Sequence, residues 1–227
     1  MDKDNYINTK YQQYNKDKLI FATNKDIIEK CIITDFDTTL RKKGYTYFTK
    51  GDYNLNLIGI RSKADRFGIK NTFNDAFVVE YKVNDKWQSK VYPCTTDPGI
   101  YYLKEKLLSS KGCAILKPNQ YRSSFKLGLH QGKYKALVQS KPVTVYRDNN
   151  KDNKLDYVNP ETGMFGINIH KAGEESKQVD KWSAGCQVIS TRRNFDELIE
   201  LCEISSKLYG NSFTYTLIEE EDLILYE

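Results

Sequence analysis

The sequence predicts a mostly β, α+β protein, built either as a β-sandwich or as a curved mixed sheet, with two or three peripheral helices. Three observations favour this class. Short apolar runs with period-two alternation recur between turn signals along most of the chain. The 227 residues include 17 tyrosines, a residue type enriched in strands. Apolar residues at helical spacing occur in only two segments, near residues 27–40 and 195–208.

The first 43 residues differ from the rest in pattern. Residues 1–23 are polar and aperiodic and predict an arm. Asn24 is placed to cap a helix that carries an apolar stripe and ends at Lys42-Lys43-Gly44. The stripe predicts a face that docks on the main domain, although a partner-binding helix fits it too. We therefore divide the chain into an arm plus helix over 1–43 and a main domain over 44–227. The stripe consists of Ile27, Ile28, Cys31, Ile32, Phe36 and Leu40.

The main domain is expected to consist largely of strands. Asn84-Asp85 separates two alternating runs and predicts a tight hairpin. A helix over 195–208 is predicted by its apolar spacing, by Thr191 or Asn194 as N-cap and by Gly210 after its end. Predicted strands cover 45–47, 54–60, 77–82, 87–92, 100–103, 113–116, 125–130, 136–139, 143–146, 163–170, 187–189, 212–218 and 223–226.

Charge and cysteine content narrow the functional classes. The net charge of +5 is spread among interspersed acidic and basic residues, which argues against a nucleic-acid partner. Five cysteines without Cys-x-x-Cys spacing leave at least one free thiol and argue against a zinc site. The amino terminus lacks the apolar stretch of a signal peptide, and no apolar run is long enough for a membrane span. The sequence does not indicate the oligomeric state.

His170 and Cys186 are the strongest candidates for chemistry. His170 ends the predicted strand Gly166-Ile-Asn-Ile-His170, and Cys186 ends the turn Trp182-Ser-Ala-Gly-Cys186. A neighbouring imidazole can take the proton of a thiol and leave a strong nucleophile. Gly185 permits a tight turn, so that the N–H groups of Gly185 and Cys186 can face a developing oxyanion. The alternative is a small buried Cys and a structural His.

These residues resemble the signature of the L,D-transpeptidase catalytic domain, the YkuD-like family. His170, Ser183, Gly185 and Cys186 match it, and the turn Thr95-Thr96-Asp97-Pro98-Gly99 resembles an upstream family turn. The resemblance spans about residues 77–218. Two positions depart from the signature: Ala184 replaces a histidine, and Val188 stands where the family carries Arg or Asn.

The resemblance implies a cysteine acyl-transfer enzyme that acts on peptidoglycan stem peptides through a thioester on Cys186, with His170 as base and no cofactor or metal. The two departures leave transfer and hydrolysis both open. The alternatives are an L,D-carboxypeptidase or cross-link-cleaving hydrolase, which a phage can carry, and a non-catalytic wall-binding module. The resemblance thus implies a protein that faces the cell wall or accompanies a phage.

Three further side chains are candidates for substrate contact. Arg147 ends a strand and can bind a carboxylate, or it forms a surface pair with Asp148. Trp182 walls the pocket or packs in the core. His130 lines the pocket or is a hydrogen-bonded structural residue. The loop 171–181 is either a lid or a solvated turn.

A separate loop has part of a calcium-binding pattern. Asp148, Asn150, Asp152 and Asp156 have the spacing of its first ligands. The glycine and the final glutamate of the pattern are missing, so a plain polar loop is the alternative.

Overall fold

The computed structural model describes residues 24–226, and the predicted arm over 1–23 lies outside this range. The described chain is mostly β, with 37% strand and 22% helix, which confirms the mostly β, α+β class. The helices are α1 Lys25–Ile32, α2 Phe36–Lys42 and α3 Arg192–Tyr209. The strands are β1 Asn56–Arg61, β2 Asp75–Val83, β3 Lys86–Thr95, β4 Cys113–Leu116, β5 Asn119–His130, β6 Tyr134–Gln139, β7 Val143–Asp148, β8 Glu161–Gly163, β9 Ile169–Lys171, β10 Gln187–Ile189 and β11 Phe213–Glu219.

Eight strands close into a barrel in the order β1-β11-β5-β6-β9-β10-β3-β2, and β4-β7-β8 form a second, three-stranded sheet. The sandwich alternative is therefore wrong. The barrel sheet is mixed, because β1 pairs with β11 and β9 with β10 in parallel, whereas the other barrel pairs are antiparallel. Closure depends on the β1–β11 pair, which joins the two ends of the main domain. Local alternation predicts strands but carries no information about partners this far apart.

Period-two alternation divides the apolar side chains of the barrel between two clusters. In β2, Phe77 and Val79 pack in the cluster that also holds α3, whereas Val78 packs in the cluster that holds α1 and α2. Successive strand residues face opposite sides of a sheet, so β2 is apolar on both faces over residues 76–79, where one face meets the helices and the other the barrel core. The stripe on α1 and α2 is buried in its cluster, as expected of a docking face.

The amino-terminal helix is broken in two, where the sequence predicted one. The Asn24 side chain caps α1 by accepting from Ile27 N–H, as predicted. Asp35 then accepts from Thr38 N–H at 2.9 Å and starts α2 as a new N-cap. An aspartate side chain that bonds the backbone in this way favours a helix start over a helix interior. None of the described helices has the length and apolarity needed to cross a lipid bilayer.

Most of the predicted strands are present, and the Asn84-Asp85 hairpin joins β2 to β3 as expected. Four strand predictions are wrong wholly or in part. Residues 45–47 are irregular, and 223–226 contribute only a single bridge, at Leu225. Residues 100–103 turn into a short π-helical segment, Tyr101–Glu105. The turn forms because the carbonyl of Gly99 accepts from the N–H groups of Tyr102 and Leu103.

The long strand predicted over 163–170 is mostly an irregular segment that becomes β9 only at Ile169. Its backbone pairs with a side chain instead of a neighbouring strand. Gln139 Oε1 accepts from the N–H groups of Phe165 and Ile167, both at 3.0 Å. A side chain that satisfies two backbone donors removes the need for a ladder at this point.

Candidate active site

A cavity of about 470 Å³ lies between the small sheet and the barrel strands β5 and β9. It collects residues from six separate parts of the chain. Five of the seven residues named as site candidates line it: Cys186, His170, His130, Arg147 and Trp182. Gly185 and Ser183 belong to the turn that carries Cys186. The sequence identified these residues one at a time, and only the fold places them around one cavity.

The parallel pairing of β9 with β10 positions the proposed base and nucleophile. Ile169 pairs with Gln187, and His170 pairs with Val188. The Gln187 N–H donates to the carbonyl of Asn168, so Cys186 lies beside Asn168, just before β10 begins. The imidazole and the thiol therefore reach the same cavity from neighbouring segments, although 16 positions separate them in the chain.

His170 is held as a neutral imidazole. Its Nδ1 lies 2.9 Å from the Lys171 carbonyl oxygen, and Tyr134 Oη lies 3.4 Å from the same nitrogen. Because a carbonyl oxygen only accepts, Nδ1 carries the proton and Nε2 keeps its lone pair. Burial and the neighbouring His130 lower the pKa of His170 from 6.5 to about 4. The ring is thus a free acceptor at neutral pH.

Cys186 is a partly exposed thiol, whereas the other four cysteines are buried. Its sulfur accepts from Asn168 N–H and donates to the Gly166 carbonyl, each at 3.5 Å. Burial raises the pKa of the Cys186 thiol to about 11, an effect that the Asn168 N–H partly offsets. Among the described residues, no hydrogen bond joins the sulfur to His170. In this state the pair is a thiol and a neutral imidazole, not an ion pair.

Ser183 and Gly185 give the turn that carries Cys186 its shape. The buried Ser183 hydroxyl accepts from Gly185 N–H at 3.1 Å and donates to the Cys186 carbonyl at 2.8 Å. Gly185 has φ +124°, and a Cβ there would fall 2.2 Å from the Ala114 carbonyl oxygen. Only glycine fits this site. The predicted oxyanion donors are the N–H groups of Gly185 and Cys186. Because the Gly185 N–H already donates to Ser183, only the N–H of Cys186 remains, and it has no hydrogen-bond partner within residues 24–226.

His130 is stacked on His170, with ring centroids 4.1 Å apart and planes inclined by 23°. These are the only two histidines of the chain. Asn168 Oδ1 accepts from Gln139 N–H, which turns its amide nitrogen toward His130 Nδ1 at 3.1 Å. His130 Nδ1 therefore accepts, and its proton lies on Nε2. Burial, aided by the Lys133 charge, lowers the pKa of His130 as well.

Arg147 and Trp182 form parts of the cavity wall. Arg147 Nε lies 3.0 Å from Glu161 Oε2, so its ion-pair partner is Glu161 and not the predicted Asp148. Its guanidinium also lies 4.7 Å from the centroid of the Phe165 ring. Trp182 is 43% exposed, which places it at the cavity and not in the core.

The turn Thr95-Thr96-Asp97-Pro98-Gly99 packs directly against the turn that carries Cys186. Gly99 N–H donates to the Ser183 carbonyl, and a Cβ on Gly99 would fall 2.1 Å from the Asp180 carbonyl oxygen. The buried Arg61 guanidinium anchors this turn through Asp97 Oδ1, 2.9 Å from Nε. The two elements matched to the family signature are thus in contact, although about 85 residues separate them.

Sequence reasoning missed several residues of the cavity. Asn168 carried a usable signal, because it lies two positions before His170 and alternation places both on one face. No such signal marks Lys181, Tyr102 or Cys113. They reach the cavity on loops and on the small sheet, whose positions depend on contacts with distant segments.

The calcium-like loop satisfies its own carboxylates. The Asn150 amide donates to Asp152 and Asp156, and Asp148 Oδ2 accepts from Asp156 N–H. Among residues 24–226, no group of three His, Cys, Asp or Glu side chains has an arrangement that could hold a metal ion.

Comparisons with protein-family models, with curated proteins and with solved structures found no match for this chain. The site is therefore described by its own geometry: a partly exposed thiol and a neutral imidazole that share one cavity.

Proposed function

We propose that the protein is a cysteine acyl-transfer enzyme that acts on peptidoglycan stem peptides, as L,D-transpeptidases do. One observation carries the proposal. Cys186 and His170, chosen from the sequence for their chemistry, line one cavity on paired segments. The only partly exposed thiol of the described chain is also the one in the motif.

The reaction has two balanced steps. In the first, Cys186 Sγ attacks the peptide carbonyl that precedes a D-residue, and a C–S bond forms as the C–N bond breaks. The thiol proton passes through His170 Nε2 to the leaving amine. The N–H of Cys186 donates to the oxyanion. In the second step, an acceptor amine attacks the thioester: a C–N bond forms as the C–S bond breaks, and the proton of the amine passes through His170 Nε2 back to the sulfur. Water in place of the amine gives hydrolysis.

At rest the thiol and the imidazole are both neutral, because the pKa of Cys186 is raised to about 11 and that of His170 is lowered to about 4. We therefore expect the thiol proton to move to His170 as the C–S bond forms, and not before.

The lack of a thiolate–imidazolium pair at rest also supports a second candidate, a non-catalytic peptide-binding module that retains the fold.

Acylation by a carbapenem such as meropenem tests the proposal. Intact-protein mass spectrometry of the wild type is expected to show one adduct, absent in Cys186→Ala and slowed in His170→Gln. Cys113→Ala is the matched control, because its thiol lines the same cavity but is buried. A wild type that stays unmodified would favour the binding module.

Muropeptide analysis of purified sacculi after incubation with the protein separates the two enzymatic outcomes. New cross-links indicate transfer. Shortened stems or lost cross-links indicate hydrolysis.

A further inference from the structure

A second pocket, of about 180 Å³, lies between the segment before β1, the end of α3 and the strands β5 and β11. None of its lining residues also lines the cavity that holds Cys186. Ser123 of β5 lines this second pocket, whereas His130 of the same strand lines the Cys186 cavity. Seven strand positions separate the two residues, a distance of about 20 Å along β5. The two sites can therefore hold ligands independently.

A β-bulge shapes the second pocket. Between two regular pairs of the β5–β11 ladder, Thr214 alone lies opposite residues 122–124. Ser123, in the middle of the bulge, has φ +52°, a left-handed conformation that serine rarely adopts. Its N–H donates to Thr214 Oγ1 at 3.2 Å instead of to a carbonyl of the neighbouring strand. Bulges redirect side chains, and strained residues cluster at binding sites, so the bulge marks this end of β5 as a candidate site.

Hydroxyl groups make up most of the polar lining. Ser205 of α3 is only 5% exposed and lines the pocket, yet its hydroxyl has no hydrogen-bond partner within residues 24–226. The hydroxyls of Ser123 and Ser212 also have no partner in the described part of the chain, and that of Thr214 is left free to donate. Buried polar groups are normally paired, so Ser205 indicates a missing ligand. Because a hydroxyl both donates and accepts, these four suit a ligand that is itself rich in hydroxyls.

Two partly exposed rings, those of Phe48 and Tyr209, form the apolar walls of the second pocket. Tyr209 is fixed in place, because its Oη donates to the Asp52 carbonyl at 2.8 Å and lies where a Cβ on Gly51 would fall. The pocket is therefore formed before a ligand arrives. Its volume is below that of a site for a drug-sized molecule and suits a single ring. A sugar ring has an apolar C–H face that packs on an aromatic ring and a rim of hydroxyls.

Arg122 is the charged residue of this lining, which contains no carboxylate. Its Nη1 donates to Thr46 Oγ1 at 2.5 Å, and its guanidinium lies 5.7 Å from the centroid of the Phe48 ring. No acidic side chain among the described residues forms an ion pair with it. The neighbouring carboxylate of Asp52 accepts from the Asn84 N–H instead. The remaining N–H donors of Arg122 are thus available to a carboxylate of the ligand.

We propose that the second pocket is a binding site for one pyranose ring that carries a carboxylate, the chemistry of a uronic acid. Ser205 and the hydroxyls around it bind the hydroxyls of the sugar, Phe48 and Tyr209 contact its C–H face, and Arg122 binds its carboxylate. The site binds without reacting, and it does not depend on the proposed acyl transfer.

The test compares glucuronic acid with glucose, because the two sugars differ only in the carboxylate. In ligand-observed NMR titrations, the wild type is expected to bind glucuronic acid with a Kd on the order of 1 mM and glucose about tenfold more weakly. Arg122→Gln is expected to remove this preference, and Ser205→Ala to weaken the binding of both sugars by about fivefold. Ser206→Ala is the matched control, because its hydroxyl donates to the Glu203 carbonyl and does not line the pocket.

A variant that fills the pocket from its exposed side keeps the test independent of folding. Ser212 is exposed, so Ser212→Phe is expected to abolish binding and leave the urea unfolding midpoint unchanged. Binding that persists in Ser212→Phe, or an equal affinity of the wild type for both sugars, overturns the proposal. A tetrasaccharide of alternating glucuronic acid and N-acetylglucosamine separates the two sources of such a ring. Tighter binding than that of the monomer supports a polysaccharide ligand, and weaker binding supports a free sugar acid. Acylation of Cys186 by meropenem stands or fails separately from every one of these results.

Discussion

The pKa of His170 predicts a loss of folding stability in acid that can be isolated by one substitution. In the folded protein, burial and the stacked His130 lower this pKa from 6.5 to about 4. Between pH 6.5 and pH 4 this imidazole is protonated in the unfolded chain but not in the folded protein. Stability from this source is therefore complete above pH 6.5 and falls as the pH drops toward 4. Integrated over the window, the loss is about 3 kcal/mol.

The wild type alone will not show this loss cleanly, because Asp65 acts with the opposite sign. Burial raises the pKa of Asp65 to about 6, so the folded protein binds that proton first and gains stability as the pH falls. Because Asp65 is present in both proteins, its contribution to stability cancels when the wild type is compared with His170→Gln. Urea unfolding at pH 7, 6, 5 and 4 should show the stability difference, wild type minus variant, shrinking by about 3 kcal/mol over the series.

NMR titration provides the direct check, since the chain has only two histidines and each imidazole can be assigned with one variant. His130→Gln is expected to raise the pKa of His170, because it removes the neighbouring ring that lowers it. If His170 of the folded wild type titrates near 6.5, the buried, stacked imidazole described above is wrong.

Three further predictions concern the thiol, its turn and the buried charge behind them. Because burial raises the pKa of Cys186 to about 11, iodoacetamide should modify it about tenfold faster per pH unit from pH 7 to 10, followed by intact mass. Gly185→Ala should cost about 2 to 4 kcal/mol of unfolding free energy and abolish acylation, since its Cβ meets a backbone carbonyl. Gly132→Ala, at φ +72° in open space, should cost about 1 kcal/mol in the same assay. Arg61→Met should destabilise by about 3 to 5 kcal/mol in urea unfolding, because it leaves buried Asp97 uncompensated, and adding Asp97→Asn should recover part of the loss.

Each of these predictions has an outcome that contradicts it. An alkylation rate that reaches a plateau below pH 9 would show a stabilised thiolate. Equal costs for the two glycine substitutions would show that the clash with the Ala114 carbonyl is relieved by movement. Additive losses for Arg61 and Asp97 would show that the two side chains do not depend on each other.

Local chemistry in the sequence was enough to predict much of the secondary structure. Asn24 and Thr191 cap their helices, and Asn84-Asp85 turns its hairpin, because each effect depends on a few adjacent residues. The strand predicted over 163–170 was wrong because Gln139, far away in the chain, supplies the acceptor for its backbone.

By itself, the sequence determined which side chains are candidates for thiol chemistry: a cysteine in a glycine turn and a histidine at the end of a predicted strand. The tertiary structure alone decided that the two line one cavity, through the parallel β9–β10 pair, and that both are neutral, through burial and the stacking of His130 on His170. The reason is physical: turns and caps depend on neighbouring residues, whereas pKa values, cavities and barrel closure depend on contacts between segments that are distant in the chain.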